Sequence, residues 1–146
     1  MDKELFATPG HLINRIARLG NRWTEPRLQK LGLAVAQLPV FGALRSLGPL
    51  SQKELARITH VEQPTMAQLL ARMERDELVQ RTPDPKDGRS SLVSLTPLAL
   101  RKAAPAREIL LEGNKAVLTG FTDREVKTLN RLLTRVLENL EKELDR

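Results

Sequence analysis

Residues 51–95 read SQKELARITHVEQPTMAQLLARMERDELVQRTPDPKDGRSSLVSL. Ser51 and Glu54 predict a helix over residues 51–58, because a serine and a glutamate three residues later form a capping box, and Leu50 with Leu55 would add a hydrophobic staple. Helical spacing of apolar residues predicts a second helix over about 63–76. Two β-prone runs joined by DPKDGR predict a hairpin over 79–95. This order is typical of a winged helix-turn-helix, an element that reads DNA.

The helix predicted over residues 63–76 has two distinct faces. Met66, Leu69, Leu70 and Met73 recur at helical spacing and form an apolar face that we expect to be buried. The alternative is an ordinary amphipathic helix on the surface, which has the same pattern. The opposite side carries residue types that bond base edges or phosphates in a major groove, namely Thr65, Gln68, Arg72 and Arg75, with Gln63 and Pro64 at the tip of the helix.

The predicted hairpin carries positive charge around its turn, on Arg81, Lys86 and Arg89. An exposed arginine at a loop tip can enter a narrow minor groove, where the negative potential is strongest. The alternative is a solvated hairpin tip of mixed charge. We expect the turn to be held by three residues near its tip, Asp84, Asp87 and Gly88, with the Asp87 carboxylate binding turn amides or orienting an arginine.

Further DNA contacts are predicted at the start of the helix over residues 51–58 and in the second strand of the hairpin. Gln52 and Lys53 open that helix, and amides and cations at a helix N-terminus suit a phosphate. Ser90, next to Arg89, completes the predicted set. Ser51 and Glu54 are assigned to helix capping alone.

Helical periodicity also flanks this segment on both sides. Apolar residues from about 5 to 20 predict a first helix, and a second is expected from about Val35 to Leu47, with Pro39 in its first turn.

Thr96 and Pro97 open a long helix that Pro105 is expected to bend or break. Thr122 and Glu125 form another capping box, with Phe121 and Val126 as staple. The following helix carries an apolar seam. The predicted packing seam of the two terminal helices comprises Leu12, Ile16, Val126, Leu129, Leu133, Val136 and Leu140.

Composition narrows the possible functions of these 146 residues. The chain has one Trp, three Phe and no Tyr, which argues against binding by base stacking. It has no Cys, so thiolate metal sites and disulfides are excluded. The net charge of +6 favours a polyanionic partner, yet residues 51–95 hold seven basic and seven acidic residues. Any DNA contact must therefore depend on where the charges lie.

Enzymatic activity is not expected, because the sequence lacks a phosphate loop, a nucleophile elbow, a zinc-protease motif and a nucleotide fingerprint. No cofactor and no metal site are predicted, since the two histidines are His11 and His60, the latter in the turn between helices. The absence of a signal segment and of a long apolar run predicts a cytoplasmic protein without a membrane partner. The alternative function is a winged-helix module that binds proteins rather than specific DNA.

The sequence resembles the MarR family, named for multiple antibiotic resistance regulators, in residues 50–81, 84–97 and 120–140. The wing pattern of the family, Asp-x-Arg-Asp-x-Arg, appears here as DPKDGR with Lys86 in place of the middle arginine. Two departures bear on the site. Ala67-Gln68 replaces a frequent Ser-Arg pair, and Glu77 stands where the family usually has glycine, so a left-handed backbone at Glu77 would be mildly strained.

The resemblance implies a mostly α-helical fold with a small β-hairpin wing and long dimerisation helices. Residues 1–32 would form an N-terminal dimerisation helix, residues 33–96 the winged helix-turn-helix with its wing at 79–95, and residues 97–146 the C-terminal dimerisation helices, together one intertwined domain. Two such chains would bind a pseudo-palindrome in double-stranded DNA as a homodimer and regulate transcription. Repression is favoured over activation, because blocking a promoter needs only occupancy. By position, Thr65, Met66 and Gln68 match the start of the recognition helix, and Arg89 matches the minor-groove arginine.

The resemblance also implies release from DNA by a small aromatic or anionic molecule. His11, Arg15 and Arg18 lie near one face of the first predicted helix and Trp23 follows, so this set could hold a carboxylate against an aromatic wall. The alternative is a solvated basic face, or salt bridges within a dimer.

Overall fold

A computed structural model describes residues 3–146, so residues 1 and 2 of the predicted N-terminal segment lie outside the described residues. The structure is mainly helical with one antiparallel hairpin, which confirms the predicted fold class. The elements in chain order are a 3-10 helix at Leu5–Ala7, α1 at Pro9–Gln29, a 3-10 helix at Val35–Gln37, α2 at Leu38–Leu47, α3 at Gln52–Thr59, α4 at Gln63–Arg75, β1 at Val79–Asp84, β2 at Asp87–Leu95, α5 at Pro97–Val117 and α6 at Asp123–Leu144.

The chain divides into two compact units, the first ending at Leu110 and the second covering Leu111–Arg146. The segment boundaries expected from the sequence, after residues 32 and 96, and the single intertwined domain remain predictions. None of the helices within residues 3–146 has the length and apolar character needed to cross a bilayer.

The core of the first unit lies among α2, α3, α4 and the hairpin. Helix α3 packs on both α2 and α4, while β1 contacts α4 and β2 contacts α2 and α3. Helix α5 adds Ala99 and Ala106 to this core, and such small side chains allow a helix to approach closely. The largest fully buried side chains are Leu28, Val40, Leu55, Met66, Leu70, Met73, Leu78 and Val93.

The hairpin turns more tightly than the sequence predicts. Asp84 pairs with Asp87 in the ladder, so only Pro85 and Lys86 form the turn. Asp87 and Gly88 are thus the first residues of β2 and lie next to the turn, near the tip as predicted, and the register shifts between Pro83 and Asp84. Pro85 has a fixed φ that suits the first central position of a turn, and the chain reverses at Pro85 and Lys86.

A single-residue bridge joins the hairpin to the chain before α3. Leu50 pairs antiparallel with Val93 of β2. The sequence does not predict this bridge, because one residue between Pro49 and Ser51 is too short to show the alternation of a strand. The bridge attaches the entrance of α3 to the wing.

Helix α1 continues to Gln29, well past the predicted end near residue 20. Its last turns are polar and lack apolar periodicity, but they are held by side chains. The Arg27 guanidinium lies 3.7 Å from the centre of the Trp23 ring. The Glu25 carboxylate accepts the Val35 amide at 3.2 Å, which ties α1 to the approach to α2. Pro39 lies in the first turn of α2, as predicted.

Helix α5 runs without interruption through Pro105, so the predicted break does not occur. A proline inside a helix removes one amide donor and crowds the preceding turn. Ala103 and Ala106, on either side of Pro105, are buried, and their packing helps to offset that cost.

The second unit consists of the end of α5 and the long helix α6. The predicted capping box is confirmed, since Glu125 N donates to Thr122 Oγ1 at 3.1 Å and Thr122 N donates to Glu125 Oε1 at 3.0 Å. No residue of α6 is buried in the single chain. Its apolar residues are therefore at least partly open to solvent.

Candidate nucleic-acid interface

Helix α4 has a buried face and a free polar face. Met66, Leu70 and Met73 are fully buried and fix the rotation of the helix against the core. The polar residues of α4 that are predicted to bind DNA are all exposed, and within residues 3–146 only Arg75 of this set, which lies 3.9 Å from Asp76, has a side-chain partner in the protein. The structure brings together on one exposed face Thr65, Gln68, Arg72 and Arg75, while Gln63 is exposed at the N-terminal end of the helix.

The assignment of Met66 as a DNA contact is wrong. Its side chain has no accessible surface, because the residue belongs to the apolar face that recurs at three and four residue intervals. The family resemblance assigned a role by position, whereas helical geometry turns Met66 inward and its neighbour Thr65 outward. Met66 therefore supports the reading face and does not contact DNA.

Helix α3, which packs against α4, begins with the other two residues predicted to bind phosphate, Gln52 and Lys53. The amide of Glu54 donates to Ser51 Oγ at 3.1 Å, so Ser51 caps the helix. The return bond differs from a complete capping box, since the Ser51 hydroxyl donates to Glu54 Oε1 at 3.1 Å. Lys53 is exposed and Gln52 is half-buried, so both retain surface for a phosphate.

The turn between α3 and α4 depends on a left-handed residue. His60 has a φ of 54° and its amide closes the end of α3. It therefore has a structural place in the turn. Among the described residues there is no group of three or more His, Cys, Asp and Glu side chains that could hold a metal ion.

The wing carries two free cations on a backbone held by two carboxylates. Asp84 Oδ1 accepts the Lys86 amide at 2.9 Å, and Asp87 Oδ1 accepts the Arg89 amide at 3.0 Å. Each aspartate binds the amide two residues on, which fixes the local turn. In the part of the chain that the structure describes, the side chains of Lys86 and Arg89 have no ion-pair partner. They are exposed, and Ser90 beside them is half-buried.

Arg81 differs from the other predicted DNA contacts. Its Nε donates to Glu74 Oε2 at 3.2 Å, so the side chain is directed at the last turn of α4. The structure therefore does not place Arg81 among the free cations of the wing.

Thr96 fixes the base of the wing in a way that the sequence analysis missed. Its hydroxyl donates to the Glu77 carbonyl at 2.6 Å and accepts the Ala99 amide at 3.1 Å. The Thr96 amide donates to the Leu78 carbonyl at 3.1 Å. Glu77 itself has a φ of 60°, so it keeps the left-handed backbone of the position at which the family usually has glycine. The Thr96-Pro97 signal predicted the helix start correctly but could not show this second partner of the hydroxyl.

A separate open groove of about 490 Å³ lies along the N-terminal half of α1. Phe6 and His11 meet edge to face there, with ring centres 4.5 Å apart. Trp23, predicted to share a ligand site with His11 and Arg15, does not line this groove, because it lies eight residues, or about 12 Å of helix, beyond Arg15. The groove is lined by Lys3, Phe6, His11, Arg15 and Arg18.

Comparison with known proteins identifies relatives of this chain. Residues 31–90 match a sequence profile described as the MarR family. The chain is 32% identical over 128 residues to the uncharacterized HTH-type transcriptional regulator YwoH of Bacillus subtilis, covering 88% of this chain and 93% of the relative. It is 32% identical over 129 residues to the HTH-type transcriptional repressor IacR of Pseudomonas putida, covering 86% and 77%.

A solved structure extends this similarity to the whole architecture. A crystal structure of a mutant MarR from E. coli, complexed with operator DNA, superposes with a TM-score of 0.82 at 26% identity. The superposition covers 94% of this chain and 99% of the E. coli chain.

Proposed function

Because this chain belongs to the MarR family and is a DNA-binding transcriptional regulator, we propose that it represses transcription by occupying a pseudo-palindromic operator as a homodimer. The observation that carries the proposal is the free polar face of α4 beside a wing whose Lys86 and Arg89 are unpaired. The similar E. coli MarR was solved with operator DNA bound, which supports a role for this surface in DNA binding.

The exposed face of α4 supplies the groups that distinguish bases. Gln68 can form two hydrogen bonds with adenine, Thr65 can contact a base edge or a thymine methyl, and Arg72 can reach guanine or phosphate. These side chains extend from a helix whose opposite face is fully buried, so packing against the core fixes the backbone that carries them. Arg89 would enter the adjacent minor groove, and Gln52, Lys53, Arg75, Lys86 and Ser90 would complete the contacts.

The homodimer is supported by apolar surface that the single chain leaves uncovered. In α6, Leu133 is 42% exposed and Leu140 is 57% exposed, although both lie on the apolar seam. In α1, Ile16 is 63% exposed. A helix of 22 residues without a buried side chain is not expected to be stable alone in water, so a partner surface is required. A second copy of the chain supplies a matching face and a second wing for a two-fold symmetric site.

Repression follows from occupancy and needs no further surface on the protein. The related IacR of Pseudomonas putida is named as a repressor, which supports the same direction of control here. Catalysis is not part of the proposed function. Operator binding requires the protein and the DNA to be in the same compartment. In the bacteria from which these relatives come, that compartment is the cytoplasm.

A small aromatic or anionic effector is proposed for the groove on α1. The groove is lined by His11, Arg15 and Phe6, and the cations Lys3 and Arg18 add positive charge. An aromatic carboxylate could pair its charge with these cations and pack its ring against the apolar lining. Trp23 is left out of this site. The competing explanation, a solvated basic face, predicts that aromatic acids leave operator affinity unchanged.

Selection of bound duplexes from a random pool tests the proposed function. The expected result is enrichment of one pseudo-palindrome whose half-sites lie about 10 base pairs apart or a multiple of that spacing. Repeating the selection with aromatic carboxylic acids tests the effector. A pool that shows no enrichment after several rounds would favour the alternative, a winged-helix module that binds proteins.

A further inference from the structure

We propose that Glu74 and Arg81 form a positioning pair that sets the angle of the wing against the recognition helix, and that Arg81 acts on DNA through this pair and not by contact. The inference rests on the proposed function, since the angle matters only if α4 and the wing engage the same duplex. The inference gives Glu74 a role, although this acidic residue lies on α4, the helix that must approach the negatively charged DNA.

The pair joins two elements that would bind different grooves. Glu74 lies in the last turn of α4, Arg81 lies in β1, and Arg81 Nε is 3.2 Å from Glu74 Oε2. In the part of the chain that the structure describes, the other two ion pairs connect near neighbours in sequence, Arg75 with Asp76 and Arg146 with Glu143. The Glu74–Arg81 pair is therefore the ionic connection between recognition helix and wing.

Strand geometry explains why Arg81 faces the helix. Side chains two residues apart in a strand lie on the same face of the sheet. Arg81 therefore shares its face with Val79, which is 2% exposed and belongs to the core. The Arg81 side chain is 30% exposed, so it lies at the edge of the core face beside α4 rather than on the open face of the wing.

Because the pair lies at the base of the wing, a small rotation there displaces the far end of the wing by a larger distance. From Arg81 to the end of β1 at Asp84 the strand rises by three residues, or roughly 10 Å at about 3.3 Å per residue. A rotation of about 10° at the base would move that end of the strand by about 2 Å. A displacement of that size exceeds the distance tolerance of a hydrogen bond, so a looser base weakens the contacts of Arg89.

The opposite model, direct contact of Arg81 with a phosphate, makes a different prediction for Glu74. If Arg81 had to leave Glu74 to bind DNA, then Glu74→Gln would release the cation, remove an acid from the interface and strengthen binding. If the pair positions the wing, the same substitution weakens binding although it makes the protein more positive. The sign of this one effect separates the two models.

The experiment measures affinity of the dimer for the operator selected with the unmodified protein, for Glu74→Gln, Arg81→Gln and the double variant. We expect each single variant to bind about two- to fivefold more weakly, the scale set by one partly exposed ion pair. The double variant should lose no more than either single variant, because all three lack the same interaction. Asp76→Asn is the matched control, since it removes one acid from the same end of α4 without a bond to the wing, and it should not weaken binding.

Two further measurements keep the proposal falsifiable. The charge-swapped variant Glu74→Arg with Arg81→Glu should recover most of the lost affinity. The dependence of affinity on salt should stay unchanged in Arg81→Gln, whereas loss of a phosphate contact would reduce its slope by about 0.9. Binding by Glu74→Gln that equals or exceeds that of the unmodified protein overturns the inference. If the unmodified protein itself binds no duplex specifically, the proposed function fails instead.

Discussion

Leu50 and Val93 exchange two backbone hydrogen bonds, from Leu50 N to Val93 O at 3.1 Å and from Val93 N to Leu50 O at 2.7 Å. Leu50 precedes Ser51, the N-cap of α3, while Val93 lies in the second strand of the wing. The entrance to the helix-turn-helix is thus bonded directly to the hairpin, and Val93 is fully buried at this junction. These bonds tie the base of the wing to the start of α3.

The wing arginine provides the first prediction. Arg89→Ala should weaken operator binding by about 1–3 kcal/mol, because it removes a groove contact from an exposed side chain that has no partner in the protein. Dimerisation should be unchanged, since Arg89 is remote in sequence from the seam of α6. Fluorescence anisotropy with the selected operator gives the affinity, and sedimentation gives the oligomeric state. Arg107→Ala, an exposed arginine on α5, is the control; equal operator binding by Arg89→Ala would remove the wing tip from the mechanism.

Substitutions at two adjacent residues of α4 should affect different properties, namely stability at Met66 and operator binding at Thr65. Met66→Ala should lower the free energy of unfolding by about 2–5 kcal/mol, because a fully buried side chain leaves a cavity. Thr65→Ala should change stability by less than about 0.5 kcal/mol and should instead weaken operator binding. Denaturant unfolding at fixed protein concentration, followed by binding assays, separates the two effects. A stable Met66→Ala variant with altered base preference would restore Met66 as a DNA contact.

The apolar seam of α6 provides the third prediction. Leu133→Asp should shift the protein to monomers, because dimer formation would bury an unpaired carboxylate among leucines. Thr134→Asp introduces the same charge outside the seam and should leave the dimer intact. Sedimentation over a range of concentrations measures both. If Leu133→Asp remained a dimer of undiminished stability, the assignment of this seam would be incorrect.

The fourth prediction concerns backbone strain at Glu77. Its φ of 60° is costly for a residue with a Cβ, so Glu77→Gly should raise the free energy of unfolding by up to about 1 kcal/mol. Glu77→Ala keeps the Cβ and should give no such gain. Both variants retain the Glu77 carbonyl that accepts the Thr96 hydroxyl. Parallel denaturant titrations decide the point, and a gain in the alanine variant equal to that in the glycine variant would attribute the effect to charge rather than strain.

The sequence was informative where local chemistry decides the structure. Capping by Ser51 and by Thr122 and the buried stripe of α4 all depend on neighbours within a few positions. The predicted strands stopped short of the turn, because Asp84 and Asp87-Gly88 are turn-favouring residues although they pair or lie within the strands here. The extent of α1 was missed because its last turns bury Leu28 alone, which gives no apolar periodicity, and are otherwise held by contacts of Glu25 and Arg27.

Long-range contacts account for the other differences at the site. The orientation of Arg81 toward Glu74 and the bridge between Leu50 and Val93 join residues that no periodic pattern connects. Met66 was assigned by position within a family motif, although its own periodicity placed it on the buried face. At this residue the physical pattern was the better guide.

Binding of the unmodified dimer to its selected operator and to a shuffled duplex, across about 50–200 mM salt, tests the central claim most directly. The surface described here predicts that affinity for the operator falls steeply with salt, with a slope near −0.9 for each phosphate contact, and that the operator is preferred at least about a thousandfold. Equal affinity for the two duplexes at every salt concentration would contradict the claim that this surface reads a DNA sequence.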